Sequence, residues 1–164
     1  SVMIMAAYFL PSAGIRRLLR RCVQRGGRVQ VILAGRTDVP LAKLAAEHHY
    51  ARLMSAGVDI YEYQPQILHA KALFIDDVAY VGSCNLDARS LRINYELLLR
   101  LDCPEFTALG RKLFLDDLDY CRRVVPKHWT QSRSRWRALR SRVAHFLLAR
   151  IDPLIAQRKL RALA

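Results

Sequence analysis

Three short apolar runs, VMIMAAYF (residues 2–9), RVQVILAG (28–35) and VDIYEY (58–63), alternate with two segments of helical periodicity. This alternation restricts the fold more than any other feature of the chain. In the first intervening segment Pro11-Ser12 starts a helix, Ile15, Leu18, Leu19, Cys22 and Val23 recur at helical spacing, and Gly26-Gly27 ends it. The second runs from about Leu41 to Ala56 and stops at Gly57. Strands alternating with helices imply parallel pairing with helical crossovers. The runs KALFI (71–75) and VAYV (78–81) are too close for a crossover and predict a hairpin, with YELLLRL (95–101) as a further strand. Amphipathic helices are expected near 104–124 and 132–150. The predicted fold is α/β, a mixed, mostly parallel sheet flanked by helices. PKHWTQSRS (126–134) reads as a hinge that divides a domain of residues 1–126 from a basic helical tail of residues 127–164.

With 164 residues, 52% of them apolar, the chain can bury one core of ordinary size. Its net charge of +13 points to an anionic partner, a nucleic acid or an acidic lipid surface. Residues 127–164 carry ten Lys and Arg against one acid, and residues 1–126 carry seventeen against thirteen. The tail therefore holds most of the excess. Cys22, Cys84, Cys103 and Cys121 form no CxxC pair and lack zinc-ligand spacing, so they read as free thiols in a reducing compartment, and neither a metal nor another cofactor is expected. No apolar run approaches the roughly 20 residues of a membrane-spanning helix, and no signal peptide opens the sequence.

The stretch LHAKALFIDDVAYVGSCNLDARSLRINYE (68–96) sets polar groups among strand-forming residues. His69 and Lys71, two apart, share a face of a strand. Asp76 falls at or near the turn, where a structural role is expected. Gly82 lets another group approach the backbone closely, and Ser83 and Asn85 are again two apart. A three-residue loop would face residue 74 with 78 and set His69 opposite Ser83; a two-residue loop would face 75 with 78 and send Ser83 and Asn85 to the other side. The first register is preferred because it gathers four polar groups. Cys84 then faces away. His48 and His49, beside Glu47, are expected to be solvated, while Tyr8, Asp38, Asp87 and Arg89 can equally line the site or pack and pair. An imidazole can attack phosphorus, with an ammonium, an amide and a hydroxyl steadying the phosphoryl oxygens. A carboxylate on the next strand, Glu96, can fix the tautomer.

These residues resemble a known family. His69-x-Lys71-x4-Asp76, Gly82-Ser83-x-Asn85, Leu86-Asp87-x-Arg89-Ser90 and Asn94-x-Glu96 look like the motif of the phospholipase D superfamily, nearest to the second half of bacterial cardiolipin synthases. Tyr8-Phe9-x-Pro11, the Gly57-Val58 step and the basic tail extend the likeness over most of the chain. Five residues lie between Asp76 and Gly82 where the family has six, so the hairpin is one residue tighter. The family builds its site from two such motifs, and this chain has one. Either it is one half of a longer enzyme or two copies pair; a start inside an apparent strand favours the former. The resemblance implies catalytic roles for His69, Lys71, Asp76 and Glu96, and phosphate binding by Lys71, Ser83 and Asn85. One histidine attacks the phosphodiester while the histidine of the opposing motif protonates the leaving alcohol, and His69 has one of these two parts. A single half is expected to need a second motif for activity.

In the tail, Trp136, Leu139, Val143, Phe146, Leu147 and Leu154 keep near-helical spacing, while Arg133, Arg137 and Arg140 occupy the remaining surface. This predicts a helix in a membrane interface, ahead of a helix docked on the domain with its charged side in water. The expected function is phosphatidyl transfer on an anionic phospholipid, with cardiolipin formed from phosphatidylglycerol at the cytoplasmic face of a membrane. A homodimeric nuclease of the same chemistry and a non-catalytic anionic-lipid-binding domain are the alternatives. Nucleic acid is the less favoured partner because the tail is rich in apolar side chains.

Overall fold

The computed structural model describes residues 1–163, with side chains through Arg158. Strands β1 (Val2–Ala6), β2 (Val29–Arg36) and β3 (Asp59–Ile67) pair in parallel, joined by α1 (Ala13–Gln24) and α2 (Pro40–Ser55). The Ser12 hydroxyl caps α1 by accepting from the Ile15 N–H, and Gly26, at φ 83°, follows its end. A hairpin of β4 (Lys71–Ile75) and β5 (Val78–Gly82) lies antiparallel beside β1, and β6 (Leu98–Leu101) extends it. On the far side β7 (Cys121–Arg123) pairs antiparallel with β3. The sheet order is β6-β5-β4-β1-β2-β3-β7.

The mixed α/β class is as expected, but parallel pairing is confined to β1, β2 and β3. The other four pairings are antiparallel, so the sheet is not mostly parallel. The crossover helices α1 and α2 carry the chain from β1 to β2 to β3 in one direction, whereas the tight β4–β5 turn reverses it. Two elements before residue 126 were not foreseen. A five-residue helix, α3 (Ala88–Arg92), begins at Asp87, and β7 occupies part of the expected 104–124 helix, which ends as α4 (Pro104–Leu118).

Each face of the sheet buries its own core because successive strand residues point to opposite sides. Ile4, Val29, Val31 and Ile60 meet Leu19, Ala45, Tyr50 and Leu53 of α1 and α2. Met3, Met5, Ile32, Phe74 and Ala79 meet Phe114 of α4.

The expected hinge is also helical. α5 (Pro126–Ser132) precedes α6 (Arg135–Phe146), a π-helical turn (Leu147–Ile151) and α7 (Asp152–Leu163). α6 docks against α2 through small residues, with Ser141 and Ala144 buried, and Arg137 grips the buried Glu47 carboxylate through Nε at 3.0 Å and Nη2 at 2.7 Å. Trp129 of α5 lies 4.9 Å, between ring centroids, from Tyr50. Trp136, Leu139, Val143 and Phe146 are all exposed. The docked face thus carries Arg137 and small side chains, and the apolar stripe faces outward.

The docking also corrects the expectation of solvated histidines. His49 is buried, and the His48, His49 and His145 rings meet with centroids 4.4–5.0 Å apart. Burial and the neighbouring Arg16 push His49 down to about 3, and burial followed by His48 pushes His145 down to about 4. Both therefore take up protons more readily in the unfolded chain, whose value is 6.5. Their contribution to stability is complete above about pH 6.5 and is lost as pH falls towards 3–4. The midpoint of thermal unfolding is expected to drop over that window, and His145→Gln to flatten the dependence; a His145→Gln protein with the same slope would refute this account.

Candidate active site

Lys71 pairs with Ala6 at the carboxyl end of β1, so the residues of interest collect at the carboxyl ends of the parallel strands, where open α/β sheets place their ligand crevices. His69 lies just before β4 and is exposed. The Lys71 ammonium sits 3.0 Å from Nδ1 and 3.1 Å from Nε2 of its ring and donates to the His69 carbonyl at 2.8 Å. Burial lowers the Lys71 ammonium from its ordinary value, and the field of Glu96 opposes that shift. The Glu96 carboxylate accepts from Ser83 Oγ at 2.5 Å and from Asn94 Nδ2 at 3.1 Å. Those two hydrogen bonds hold it below the usual carboxylate range. Asn85 accepts from the Tyr8 backbone N–H at 3.4 Å, which ties its loop to the end of β1.

The hairpin has the two-residue loop: Ile75 faces Val78, and Asp76 sits in the turn at φ 48°. The three-residue register is therefore wrong. Two aspartates suffice because the first adopts the left-handed conformation that such turns require and that Asp tolerates. Ser83 nevertheless joins the cluster. The regular ladder ends at Gly82, and beyond it Ser83 donates its N–H to the Leu97 carbonyl at 2.9 Å while its hydroxyl accepts from the Leu97 N–H at 3.1 Å and donates to Glu96. The close approach foreseen at Gly82 is that of the Leu97 carbonyl, which a Cβ at position 82 would strike. Gly82→Ala is expected to cost about 1–3 kcal/mol, the range for overpacking a well-filled site, and to displace Glu96. Denaturant unfolding measures this; an unchanged midpoint would refute it.

The structure brings His69, Lys71, Ser83 and Glu96 together, with Asn85 on the adjoining loop. Asp76 is excluded. It lies five residues along β4 from Lys71, roughly 16 Å at the strand rise, where its exposed carboxylate accepts from the Ser1 amino group at 2.5 Å. Asp76 does not join the candidate site, because the length of β4 separates it from the imidazole. Glu96 forms no hydrogen bond with His69 among the described residues; it anchors Ser83 and Asn94. Of the four undecided residues, Tyr8 donates to Asp38 at 3.4 Å, Asp87 caps α3 by accepting from the Arg89 and Ser90 N–H groups, and Arg89 pairs with Asp152 at 3.2 Å. Among the described residues no group of three or more His, Cys, Asp and Glu could hold a metal ion.

Sequence patterning missed an apolar pocket of about 190 Å³ that includes Lys71. Leu73, Tyr80, Cys84, Leu86, Leu91 and Leu98 line it. Gly82 faces Lys71's side of the ladder without a side chain, and Leu98, its partner on β6, closes that end. The only sequence signal was the register of three strands, which depends on the loop length. Burial raises the Cys84 thiol from its ordinary value, as befits an unreactive wall residue.

A mixed sheet that sets a histidine–lysine pair beside the end of its first parallel strand, next to a Gly-Ser-x-Asn loop and a glutamate, is the arrangement that the resemblance to the phospholipase D superfamily implies. Residues 1–118 match the family described as "Cardiolipin synthase, PLD-like domain", and the chain belongs to that family. It is 30% identical over 149 residues to cardiolipin synthase A of Buchnera aphidicola, covering 89% of this chain and 30% of that protein. It is 29% identical over 156 residues to cardiolipin synthase 1 of Bacillus anthracis, covering 94% and 30%. The chain thus spans about a third of the length of these relatives. Two solved structures share the fold. Nuc of Salmonella typhimurium, a phospholipase D family member, superposes with TM-score 0.63 at 21% identity, over 75% of this chain and 80% of its own. The phosphatidylserine synthase of Haemophilus influenzae gives TM-score 0.65 at 16% identity, over 97% and 40%.

Proposed function

We propose that the chain supplies one half of a phospholipase D-type active site that transfers a phosphatidyl group, forming cardiolipin from phosphatidylglycerol. The observation that carries this reading is the joint presence of His69 and Lys71, side by side, with an apolar pocket beginning at Lys71. A phosphate held by Lys71 would leave its lipid body against Leu73, Leu91 and Leu98. A nucleic acid could use the cation but not the pocket.

In this scheme a histidine nitrogen bonds to phosphorus, the bond to the leaving alcohol breaks, and the opposing motif's histidine gives that alcohol its proton. The same group then takes the proton of an acceptor hydroxyl, whose oxygen attacks phosphorus and releases the first histidine. His69 fills one of these two parts. Lys71 offsets charge on the phosphoryl oxygens. Asn85 contributes its amide, and Ser83, held by Glu96, shapes the loop beside them. The second motif comes from the remainder of a longer chain or from a second copy.

The 127–164 segment would act as the membrane-facing unit at the cytoplasmic surface, with the exposed Trp136, Leu139, Val143 and Phe146 entering the interface and arginines meeting lipid phosphates. Among the described residues no helix is long and apolar enough to cross a membrane. Supplying the full-length protein with labelled phosphatidylglycerol tests the proposal. Labelled cardiolipin is the expected product; cleavage of DNA without any lipid product would overturn it.

A further inference from the structure

The groove between α1 and α2 gathers Arg16, Arg17 and Arg20 from α1 and Arg52 from α2 around a cavity of about 210 Å³. Ala13, Leu53 and Ala56 complete its lining, and no carboxylate is among them. Among the described residues none of the four arginines forms an ion pair. Arg16 is half-buried and spends Nη1 on the Pro11 carbonyl at 2.5 Å and on His49 Nε2 at 3.4 Å. Arg17, Arg20 and Arg52 are exposed at the rim. Some cations elsewhere in the fold have acid partners, as Arg137 with Glu47, Arg122 with Glu62 and Arg123 with Asp59; what sets this groove apart is that four arginines line one cavity. Four guanidiniums sharing one concavity with no counter-charge repel one another, and an anion would relieve that repulsion. Their planar forks suit the oxygens of a phosphate.

The surroundings favour a lipid as the source of that phosphate. His49 links Arg16 to His145 of α6, and the fields of Arg16, Arg52, Arg133 and Arg142 all reach His48. The groove and the tail therefore belong to one cationic surface. The elements that form it also carry exposed apolar side chains, Leu18 on α1 and Val143 and Phe146 on α6. Cations interleaved with exposed apolar groups match a membrane interface better than a soluble anion.

We propose that the α1/α2 groove is a second anion site, which holds the phosphodiester headgroup of an anionic phospholipid other than the one being reacted. None of the residues around His69 lines it; it belongs to the helical layer, whereas His69 and Lys71 lie at the carboxyl end of β1. The inference does not depend on the catalytic reading, because it is tested without turnover.

The test is arginine footprinting of the full-length protein in vesicles, with phenylglyoxal as the reagent and each site quantified by mass spectrometry. In phosphatidylglycerol vesicles, modification of Arg17, Arg20 and Arg52 is expected to slow roughly tenfold relative to phosphatidylcholine, since each near-surface cation contributes an attraction on the scale of about fivefold. Arg100 and Arg123, exposed on β6 and β7 outside the groove, should react alike in both. Equal protection of Arg100 and Arg123 would mean diffuse membrane contact and overturn the site. Equal protection by inorganic phosphate at the same phosphate concentration, without anionic lipid, would assign a free phosphate and overturn the lipid. No protection of the groove would overturn both.

Discussion

Replacing His69 by alanine in the full-length protein is expected to lower phosphatidyl transfer by roughly a thousandfold or more, since positioned proton transfer alone contributes about 10²–10⁴ and loss of a covalent nucleophile costs more. The imidazole is exposed, and among the described residues the hydrogen-bonding partner of its ring nitrogens is Lys71. The fold should therefore survive, and the loss should appear in kcat with the unfolding midpoint unchanged. Footprinting at the α1/α2 groove should also be unaffected. A variant that keeps more than a tenth of the wild-type rate would remove His69 from the mechanism. Soluble phosphodiesters provide a second reading. If the pocket beside Lys71 holds the lipid body, Leu98→Asp should depress transfer from phosphatidylglycerol more than hydrolysis of a small diester, whereas His69→Ala should abolish both.

The second large effect is on stability. Arg137→Ala is expected to destabilise the chain by about 3 kcal/mol, near the lower end of the range for stripping the partner from a buried charge. Glu47 has only 1% of its side chain exposed, and Arg137 supplies both of its hydrogen bonds. The Arg137 side chain is 52% exposed, so water already reaches one partner of the pair, which keeps the cost from being larger. Glu47→Gln should cost less, about 1 kcal/mol, because an amide keeps an acceptor without leaving a bare charge. The double variant Glu47→Gln/Arg137→Ala should be more stable than Arg137→Ala alone. Denaturant unfolding of the four proteins measures the cycle, and an Arg137→Ala midpoint equal to wild type would show that α6 is not held through Glu47.

Much of this protein was legible from local rules. Apolar runs separated by capped helical segments determined the β1-α1-β2-α2-β3 core, because strand length, helix period and the Gly26 and Gly57 stops are properties of neighbouring residues. The His69-x-Lys71 spacing determined a shared strand face in the same way. Asp76, five residues beyond Lys71, could be recognised as a turn residue before any fold was known. The tertiary structure decided what depends on pairs distant in the chain. One residue of loop length changed the β4–β5 register, and Ser83 reached Glu96 only because the ladder stops at Gly82. It also decided that Glu96 anchors Ser83 rather than His69, and that the tail docks through Glu47, Ser141 and Ala144 with Trp136 and Phe146 turned outward. Helical periodicity identifies an apolar stripe but not the side that meets the protein. Here a buried carboxylate on α2 and three histidine rings in mutual contact outweighed the stripe, since a charge taken out of water must find its partner, whereas single apolar side chains are tolerated at a surface.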